Sequence, residues 1–499
     1  MNLRTPELEA VLDDVVARQP SVGLAVGIVR DGGLAAFRGH GLADIRTATP
    51  ITEDTTFRVA SITKTFTAIA VMQLRERGLV DLDRPVNEYL RAYRLEPTRA
   101  GSSPATVRHL LTHTAGLAEV AHLRGLVEPD FGESVPAGEP LPSLASFYGA
   151  TLPTYAEPGT RFVYNNHGPA TLGQIVEDVT GLPLHEYVRA HIFEPLGMTD
   201  STLVRPPPGS ARLATGYEIG SRGVRRPAER DMVTTGAASA YSTPRDMARY
   251  AAALLAGGAS PHGRILQTPT LEQMFAPQYR PDPRVPGMGL GFFRYRAAGH
   301  DAVGHQGTHP GFHSQITLTP DHGVGVIAFT NGSHHPDFWL PGTVARLLGR
   351  ILAIDDAPRP APHHPEVWAD LCGWYRLDAR PTDVRLRGML GAGVEVLVRR
   401  GRLIARFLTP IPALARGFEL EPEDARDPYA FRISPPDEAM EPIRLVFARD
   451  PAGATDRLCL DIMPLVMRKQ PAATNPRRWA TGALGALSAA ALATAVSQR

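Results

Sequence analysis

The sequence predicts an α+β fold in which an antiparallel sheet is flanked by helices and carries an inserted α-helical subdomain, with a small all-β domain after it. Three observations predict this fold. Strand-like segments occur near the N-terminus and return at about 290–330. Helical periodicity dominates the stretch between them, about 80–240. After a Pro/His-rich segment, short strands and turns alternate without further helices.

The length agrees with more than one domain. At 499 residues the chain is too long for one ordinary hydrophobic core. We therefore expect a main domain over 1–355, a linker over 356–365, a barrel- or lipocalin-like β-domain over 366–469 and a C-terminal tail over 470–499.

The composition excludes several classes of function. Hydrophobic residues make up 43% and charged residues 21%, as in globular proteins. The formal net charge is +1 and no long basic stretch occurs, which argues against a nucleic-acid partner. Two cysteines, Cys372 and Cys459, supply neither a disulfide framework nor a structural zinc set, so buried reduced thiols are favoured.

The two ends of the sequence differ. Residues 1–7 lack the apolar core of a signal peptide and resemble a helix start, with Thr5 as N-cap and Pro6 at the first position, which favours a cytoplasmic location. From Trp479 to Gln498 no residue is charged, and this length suits a membrane span. Because Ala, Gly, Ser and Thr dominate there, membrane association through the tail stands as an alternative to a loose or docked helix.

The first elements are a hairpin and a long helix. Apolar residues fill 22–29, the chain turns at 31–33, and a second strand follows over 34–37. An extended segment over 52–59 leads into a helix that Gly78 ends. We expect this helix to be buried against the sheet with its first turn open at a cleft. Its apolar residues recur at helical spacing, at Ile62, Phe66, Ile69, Ala70 and Leu74.

The remaining elements follow from caps, glycines and turn residues. Irregular loops are expected at 126–161 and 204–230, which are rich in Pro, Gly, Ser or Arg. Helices are predicted at 106–111, 169–180, 184–193, 243–255 and 343–354. Strands are predicted at 291–295, 312–319, 324–330, 394–398, 403–407 and 443–447.

A serine three residues ahead of a lysine, Ser61 and Lys64, is the first candidate for chemistry. Positions i and i+3 share a helix face, so the hydroxyl and the amine can meet. An amine that sheds its proton can activate a hydroxyl. The chain has only one other lysine, Lys469, and arginine stays charged and cannot serve as a base. Alone, the pair is also compatible with chance.

Two further stretches carry polar residues in suitable settings. Tyr164 lies at a loop–helix junction and could act as a phenolate base, and the amide of Asn166 could hold a substrate carbonyl. Taken alone, this stretch is better explained as a turn with an asparagine cap. The other stretch places His305 and Gly307 in a strand-forming context, where glycine often marks close approach of a ligand. A strand N–H there could complete an oxyanion hole with the N–H of Ser61.

In this order the three stretches resemble the signature of serine hydrolases built like class C β-lactamases and penicillin-binding proteins, the peptidase S12 type. That family carries Ser-x-x-Lys, then Tyr-x-Asn, then Lys/His-x-Gly. This chain carries Ser61-Ile62-Thr63-Lys64, Tyr164-Asn165-Asn166 and His305-Gln306-Gly307. The resemblance covers about residues 8–350 and includes segments 110–117 and 157–160.

The resemblance implies acyl transfer through a serine ester. It implies that Ser61 is the nucleophile, that Lys64 and Tyr164 share the role of general base, and that Asn166 positions the substrate. Tyr164 would later pass the proton to the leaving group, and water would release the acyl group. The resemblance implies neither a metal nor another cofactor.

The third motif departs from the β-lactamases and carboxypeptidases of the family. Those enzymes typically have a lysine that helps to recognise a substrate carboxylate, whereas His305 is neutral or partly charged near pH 7. The resemblance implies that His305, Gly307 and Thr308 bind substrate, with the N–H groups of Ser61 and Thr308 as the oxyanion hole. We expect an esterase or D-aminopeptidase-like enzyme acting on a small ester, amide or peptide. The alternatives are a β-lactamase or D-alanyl-D-alanine carboxypeptidase, and a non-catalytic binding or scaffold protein on the same fold.

Overall fold

The computed structural model describes residues 5–477 with internal gaps. The gaps are 19, 208, 211, 298, 353–360, 379–382, 385–386, 389–390, 410–411 and 435–441. The charge-free tail from Trp479, and with it the membrane prediction, lies outside the described residues, as does half of the predicted linker. Within the described ranges, every helix is too short or too polar to span a bilayer.

Helices flank the main sheet and fill the predicted insertion. In chain order they are α1 (Thr5–Arg18), α2 (Thr63–Glu76), α3 (Val107–Leu111), α4 (Leu144–Tyr148), α5 (His167–Thr180), α6 (Leu184–Val188), α7 (Glu194–Leu196), α8 (Thr235–Ala238), α9 (Pro244–Leu255), α10 (Thr268–Phe275), α11 (Pro336–Leu352), α12 (Pro365–Leu371) and α13 (Pro412–Arg416).

Strands of the central sheet fall early and late in the sequence, as predicted, and short strands also occur between them. They are β1 (Ser21–Arg30), β2 (Gly33–Asp44), β3 (Thr49–Pro50), β4 (Phe57–Ala60), β5 (Arg94–Pro97), β6 (Ser134–Pro136), β7 (Thr151–Thr154), β8 (Glu218–Gly220), β9 (Gly223–Arg225), β10 (Arg230–Met232), β11 (Ala240–Ser242), β12 (Ala259–Ser260), β13 (Gly263–Arg264), β14 (Phe293–Ala297), β15 (His300–His309), β16 (Phe312–Thr319) and β17 (Val324–Ser333). The central sheet is antiparallel and runs in the order β14-β15-β16-β17-β1-β2-β3.

Strand β1 is buried on both faces, which explains its continuous apolar run. Leu24, Val26 and Ile28 belong to the hydrophobic cluster formed with α1 and α11. The alternate residues Ala25 and Val29 belong to the cluster formed with α2 and α9. The sheet therefore separates an outer helical layer from the helices that carry the candidate site.

Predicted helix limits are confirmed where caps were recognised. Gly78 follows α2 with a left-handed backbone, at a φ of 70°. Thr243 accepts a hydrogen bond from the N–H of Asp246 at 3.2 Å and caps α9. The prediction for α11 was too short, because proline usually ends a helix. The structure includes Pro341 inside α11 and starts that helix at Pro336.

The loop predicted over 126–161 is more ordered than expected, since it contains β6, α4 and β7. Strand β6 pairs with β10, and β7 pairs with β5, each partner lying outside this segment. Pairing with distant strands leaves no local periodic signal, which is why these short strands were missed.

The C-terminal region forms a second antiparallel sheet, as the all-β prediction required. Its strands are β18 (Gly373–Leu377), β19 (Val394–Arg399), β20 (Arg402–Phe407), β21 (Phe418–Glu419), β22 (Glu421–Asp424), β23 (Asp427–Ile433), β24 (Ile443–Arg449), β25 (Thr455–Leu460) and β26 (Leu465–Gln470). They lie in the order β21-β20-β19-β18-β26-β25-β24-β23-β22. The residue limits of the predicted domains stay a prediction.

The second sheet is joined to the main region by an apolar cluster and by ion pairs. Phe162, Met288 and Phe293 share one hydrophobic cluster with the interior of the second sheet. The guanidinium of Arg284 lies 3.0 Å from Asp427 at the start of β23. These contacts place the second sheet directly behind the segment that contains Tyr164.

Candidate active site

The chain turns sharply where β4 meets α2, and Ser61 lies at this turn. Ala60 has a φ of 45°, a left-handed conformation that is uncommon for a residue other than glycine. The α-helix begins at Thr63, so Ser61 lies in the preceding turn. The carbonyl of Ser61 accepts the N–H of Lys64 at 3.1 Å. The hydroxyl of Thr63 accepts the N–H of Ala240 at 2.9 Å. This bond fixes the turn to β11.

Lys64 is buried with its amine against Ser61, as the spacing predicted. Its side chain is only 2% exposed. Nζ lies 2.9 Å from Ser61 Oγ, 2.8 Å from Asn166 Oδ1 and 3.1 Å from the carbonyl oxygen of Ala237. An ammonium can donate to all three acceptors. When the amine is neutral, its lone pair is held within reach of the hydroxyl proton of Ser61.

Tyr164 closes the site on the side of the second sheet. Its ring centroid lies 4.9 Å from Lys64 Nζ, so the amine faces the aromatic ring. The same ring is flanked by His113 at 4.7 Å and Phe293 at 5.9 Å. The structure therefore brings the ring of Tyr164 against Lys64, the amine that contacts Ser61.

The two asparagines after Tyr164 have different roles. Asn165 Oδ1 accepts the N–H of Gly168 at 2.8 Å, and its Nδ2 donates to the carbonyl of Val163 at 2.7 Å. The expected asparagine cap therefore exists, but Asn165 supplies it. Asn166 makes no capping bond to α5 and instead contacts Lys64.

Gly307 brings β15 against the Ser61 turn. A Cβ at this position would lie 2.3 Å from the carbonyl oxygen of Val59 and 2.9 Å from the amide nitrogen of Ser61. Only glycine permits this approach. The backbone of β15 therefore lies next to the Ser61 amide, the arrangement that an oxyanion hole requires. The hydroxyl of Thr308 donates to Asp337 Oδ1 at 2.7 Å, so this side chain is held by α11.

His305 is fully buried beside the aromatic rings of the site. Burial, reinforced by the positive charge of Lys64, lowers the pKa of His305 to about 3, so the imidazole is neutral near pH 7. Its Nδ1 lies 2.6 Å from the carbonyl oxygen of Gln306 and therefore carries the proton. Nε2 is then a bare acceptor, and it has no hydrogen-bond partner among the described residues.

Two groups of the candidate site, the carbonyl of Ala237 and the side chain of His113, were not predicted from the sequence. The carbonyl of Ala237 contacts Lys64, but a backbone group leaves no trace in the side-chain pattern. His113 packs on Tyr164, and its only signal was its place in segment 110–117. The residues predicted from the three motifs do meet at one site. Thr308 differs from the others because its side chain turns toward α11.

The antiparallel sheet, the helical insertion and the Ser-x-x-Lys pair at the head of a buried helix define the β-lactamase type of fold and site. The model of the Beta-lactamase family matches residues 8–349. The chain belongs to this family.

Relatives include enzymes of several kinds. Esterase EstB of Burkholderia gladioli is 36% identical over a match that covers 43% of this chain and 54% of the esterase. The chain thus spans about half the length of that relative. The putative penicillin-binding protein PbpX of Bacillus subtilis is 27% identical, with 61% and 69% covered.

Solved structures agree with the fold. The D-amino acid amidase of Ochrobactrum anthropi SV3, complexed with D-phenylalanine, is 26% identical with a TM-score of 0.56, covering 69% of this chain and 98% of the amidase. The octameric penicillin-binding protein homologue of Pyrococcus abyssi is 23% identical with a TM-score of 0.59, covering 94% of this chain and all of that one. The second likeness extends over the C-terminal sheet and concerns the fold alone.

Proposed function

We propose that the protein is a serine hydrolase that forms an acyl-enzyme at Ser61 and acts on esters or amides that need no carboxylate for recognition. The observation that carries the proposal is the 2.9 Å contact between Lys64 Nζ and Ser61 Oγ, held by Asn166 and by the carbonyl of Ala237. A nucleophile within hydrogen-bond reach of an oriented base is the arrangement that covalent catalysis requires.

The proposed reaction begins with proton transfer from Ser61 Oγ to the base formed by Lys64 and Tyr164. Oγ forms a bond to the substrate carbonyl carbon, and the carbonyl oxygen takes the electron pair. The N–H groups of Ser61 and Thr308 would stabilise this oxyanion. When the carbonyl re-forms, the bond to the alcohol or amine breaks, and Tyr164 returns the proton to that leaving group. Water then repeats the sequence on the ester of Ser61, releasing the acid.

The neutral state of His305 argues against substrates that are recognised through a carboxylate. A lysine at this position would offer a permanent charge to a substrate carboxylate, whereas a buried neutral imidazole offers none. The similarity to an esterase and to a D-amino acid amidase points the same way. We therefore favour an esterase or D-aminopeptidase-like activity over a β-lactamase or a D-alanyl-D-alanine carboxypeptidase.

A substrate panel tests this proposal. Purified protein is assayed with p-nitrophenyl esters, D-amino-acid p-nitroanilides and nitrocefin, and a fluorophosphonate probe is used to label the nucleophile. We expect ester or anilide turnover with little nitrocefin hydrolysis, and loss of both turnover and labelling in Ser61→Ala. A folded wild-type protein that neither turns over any substrate nor reacts with the probe would support a non-catalytic role.

Location is proposed on sequence features alone. The cytoplasm is the first expectation, with membrane association through residues 479–498 as the alternative. Cell fractionation of the full chain and of a chain ending at residue 475 distinguishes them. A shift from membrane to supernatant on deletion would support the tail as an anchor, and an unchanged distribution would remove it.

A further inference from the structure

His113 lies at the centre of the site without a role in the proposed reaction. It follows α3 in the stretch Thr112-His113-Thr114, and its backbone φ is 55°, in the left-handed region. The side chain is only 4% exposed. A left-handed backbone at a buried residue with a side chain costs free energy, so contacts of His113 must compensate for it.

Those contacts converge on three consecutive residues. The ring of His113 packs on the ring of Tyr164, with centroids 4.7 Å apart and planes tilted by 40°. The carbonyl of His113 accepts the N–H of Val163 at 2.9 Å. Its Nδ1 faces the N–H of Asn165 at 3.5 Å. His113 therefore holds the backbone on both sides of Tyr164 as well as the ring itself.

The imidazole also stays uncharged. Burial lowers the pKa of His113 well below its usual range, and the charge of Lys64 lowers it further. A neutral Nδ1 can accept the N–H of Asn165. The neutral ring thus forms an apolar wall for Tyr164 and adds no positive charge beside Lys64.

We propose that His113 is a positioning residue that sets the ring of Tyr164 against Lys64 and Ser61. The proposal rests on the proposed function, since it concerns the proton transfer that Tyr164 performs there. Ser61 and β15, which are proposed to bind substrate, lie outside the segment 163–165 that His113 contacts. The loss of His113 should therefore lower kcat more than it raises KM.

The chain offers a matched control. His191 packs on Tyr187 with centroids 4.4 Å apart and planes tilted by 44°, nearly the geometry of His113 on Tyr164. His113→Asn and His191→Asn each remove one histidine–tyrosine ring contact. Asparagine tolerates the left-handed backbone, and His113→Gly tolerates it better, which supplies a second variant if the first does not fold.

Steady-state ester hydrolysis and fluorophosphonate labelling are measured for each variant whose circular dichroism shows a native fold. We expect His113→Asn or His113→Gly to lower kcat by about 30-fold or more, with KM within about threefold, because misplacement by about 1 Å can cost about 100-fold. We expect His191→Asn to keep kcat within about twofold. His113→Phe restores a ring against Tyr164 but not the acceptor for the Asn165 N–H, so it should recover only part of the lost kcat.

Three results would overturn the proposal: a folded His113→Asn or His113→Gly with wild-type kcat, a rise in KM that accounts for the whole defect, or an equal loss in His191→Asn. Failure of the proposed function is a separate outcome. In that case the wild-type protein itself would show no turnover and no labelling of Ser61.

Discussion

The two lysines of the chain lie in its two sheet regions, and their surroundings differ by two groups. Lys64 faces the ring of Tyr164 at 4.9 Å and contacts a backbone carbonyl, an amide oxygen and the hydroxyl of Ser61. Lys469, on β26, faces the ring of Tyr375 at 5.9 Å and donates to the carbonyl of Asp370. Both amines face an aromatic ring and donate to a backbone carbonyl, but Lys64 also contacts the hydroxyl of Ser61 and the amide oxygen of Asn166.

This difference shows what the scarcity of lysine can indicate. In the second sheet a lysine joins β26 to α12, and its stem packs against Gly373, where a Cβ would lie 2.7 Å from Lys469 Cε. A rare residue type can thus be structural. In the site region, Lys64 is oriented for catalysis by Asn166 and Ala237. These partners lie 102 and 173 residues away in sequence.

Exchange of each lysine for arginine should separate the two roles most strongly. Arginine keeps the charge but cannot give up its proton, so it cannot act as a base. We expect Lys64→Arg to lower kcat for ester hydrolysis by about 10³-fold, the scale of general-base catalysis. Lys469→Arg is the matched control and should keep kcat within about twofold. Equal kcat values for the two variants would contradict a basic role for Lys64.

The next largest loss of kcat is expected when β15 is forced away from the Ser61 turn. In Gly307→Ala the added methyl group would lie 2.3 Å from the Val59 carbonyl oxygen, so β15 must move away from the Ser61 amide. We expect kcat to fall by about 100-fold, as for loss of one oxyanion donor. Gly33→Ala at the start of β2, where a Cβ would meet no atom within 4 Å, should change kcat by less than about twofold. Steady-state kinetics on one p-nitrophenyl ester compares the two.

Both sheets were predictable as regions of strands because apolar alternation and turn residues are local signals, although only three of the nine described strands of the second sheet were predicted individually. The 312–319 strand was predicted to the residue, and β17 begins where expected. The helix of Ser61 was likewise indicated by its own periodicity. Its Gly78 stop depends on a backbone conformation that glycine readily adopts.

Features set by distant partners were not predictable. Strand β4 pairs with β11, 180 residues further along, and no local pattern indicates that register. The Tyr-x-Asn motif singled out Asn166 for substrate binding, but only the fold shows that Asn165 caps α5 and that Asn166 contacts Lys64. The neutrality of His305 follows from burial and from the nearby charge of Lys64, neither of which the residue type contains.

Arg284 is one of the residues that join the two regions. Arg284 lies 2.8 Å from Asp282 and 3.0 Å from Asp427, and it donates to the Phe447 carbonyl. Arg284→Ala leaves both carboxylates without this partner, and we expect the free energy of unfolding to fall by about 2 to 3 kcal/mol. Arg402→Ala, which breaks the exposed pair with Glu419, should cost no more than about 1 kcal/mol. Denaturant unfolding measures both, and equal losses would contradict a special role of Arg284.

Each region contains a carboxylate with a shifted pKa, and the two make the free energy of unfolding depend on pH with opposite signs. Burial alone would raise the pKa of Asp44, but hydrogen bonds from Thr215, the Arg46 N–H and Tyr217 outweigh it and lower the pKa from 3.8 to about 2. In the second sheet, burial raises the pKa of Asp461 from 3.8 to about 7, and the N–H of Arg444 offsets this only in part. Asp44 therefore favours the folded state when ionised, and Asp461 favours it when protonated.

The sign of each pH dependence follows from the linkage between proton binding and folding. The contribution of Asp44 is present above about pH 4 and is lost as the pH falls toward 2, whereas that of Asp461 is present below about pH 4 and is lost as the pH rises through 7. At pH 8 we expect Asp44→Asn to destabilise the protein by about 2 kcal/mol and Asp461→Asn to stabilise it. Near pH 3 Asp461→Asn should be close to neutral, because Asp461 is then protonated and the amide oxygen can still accept the N–H of Arg444. Unfolding in urea from pH 3 to pH 8 measures both variants. Shifts of the same sign at pH 8 would show that the two carboxylates do not differ in this way.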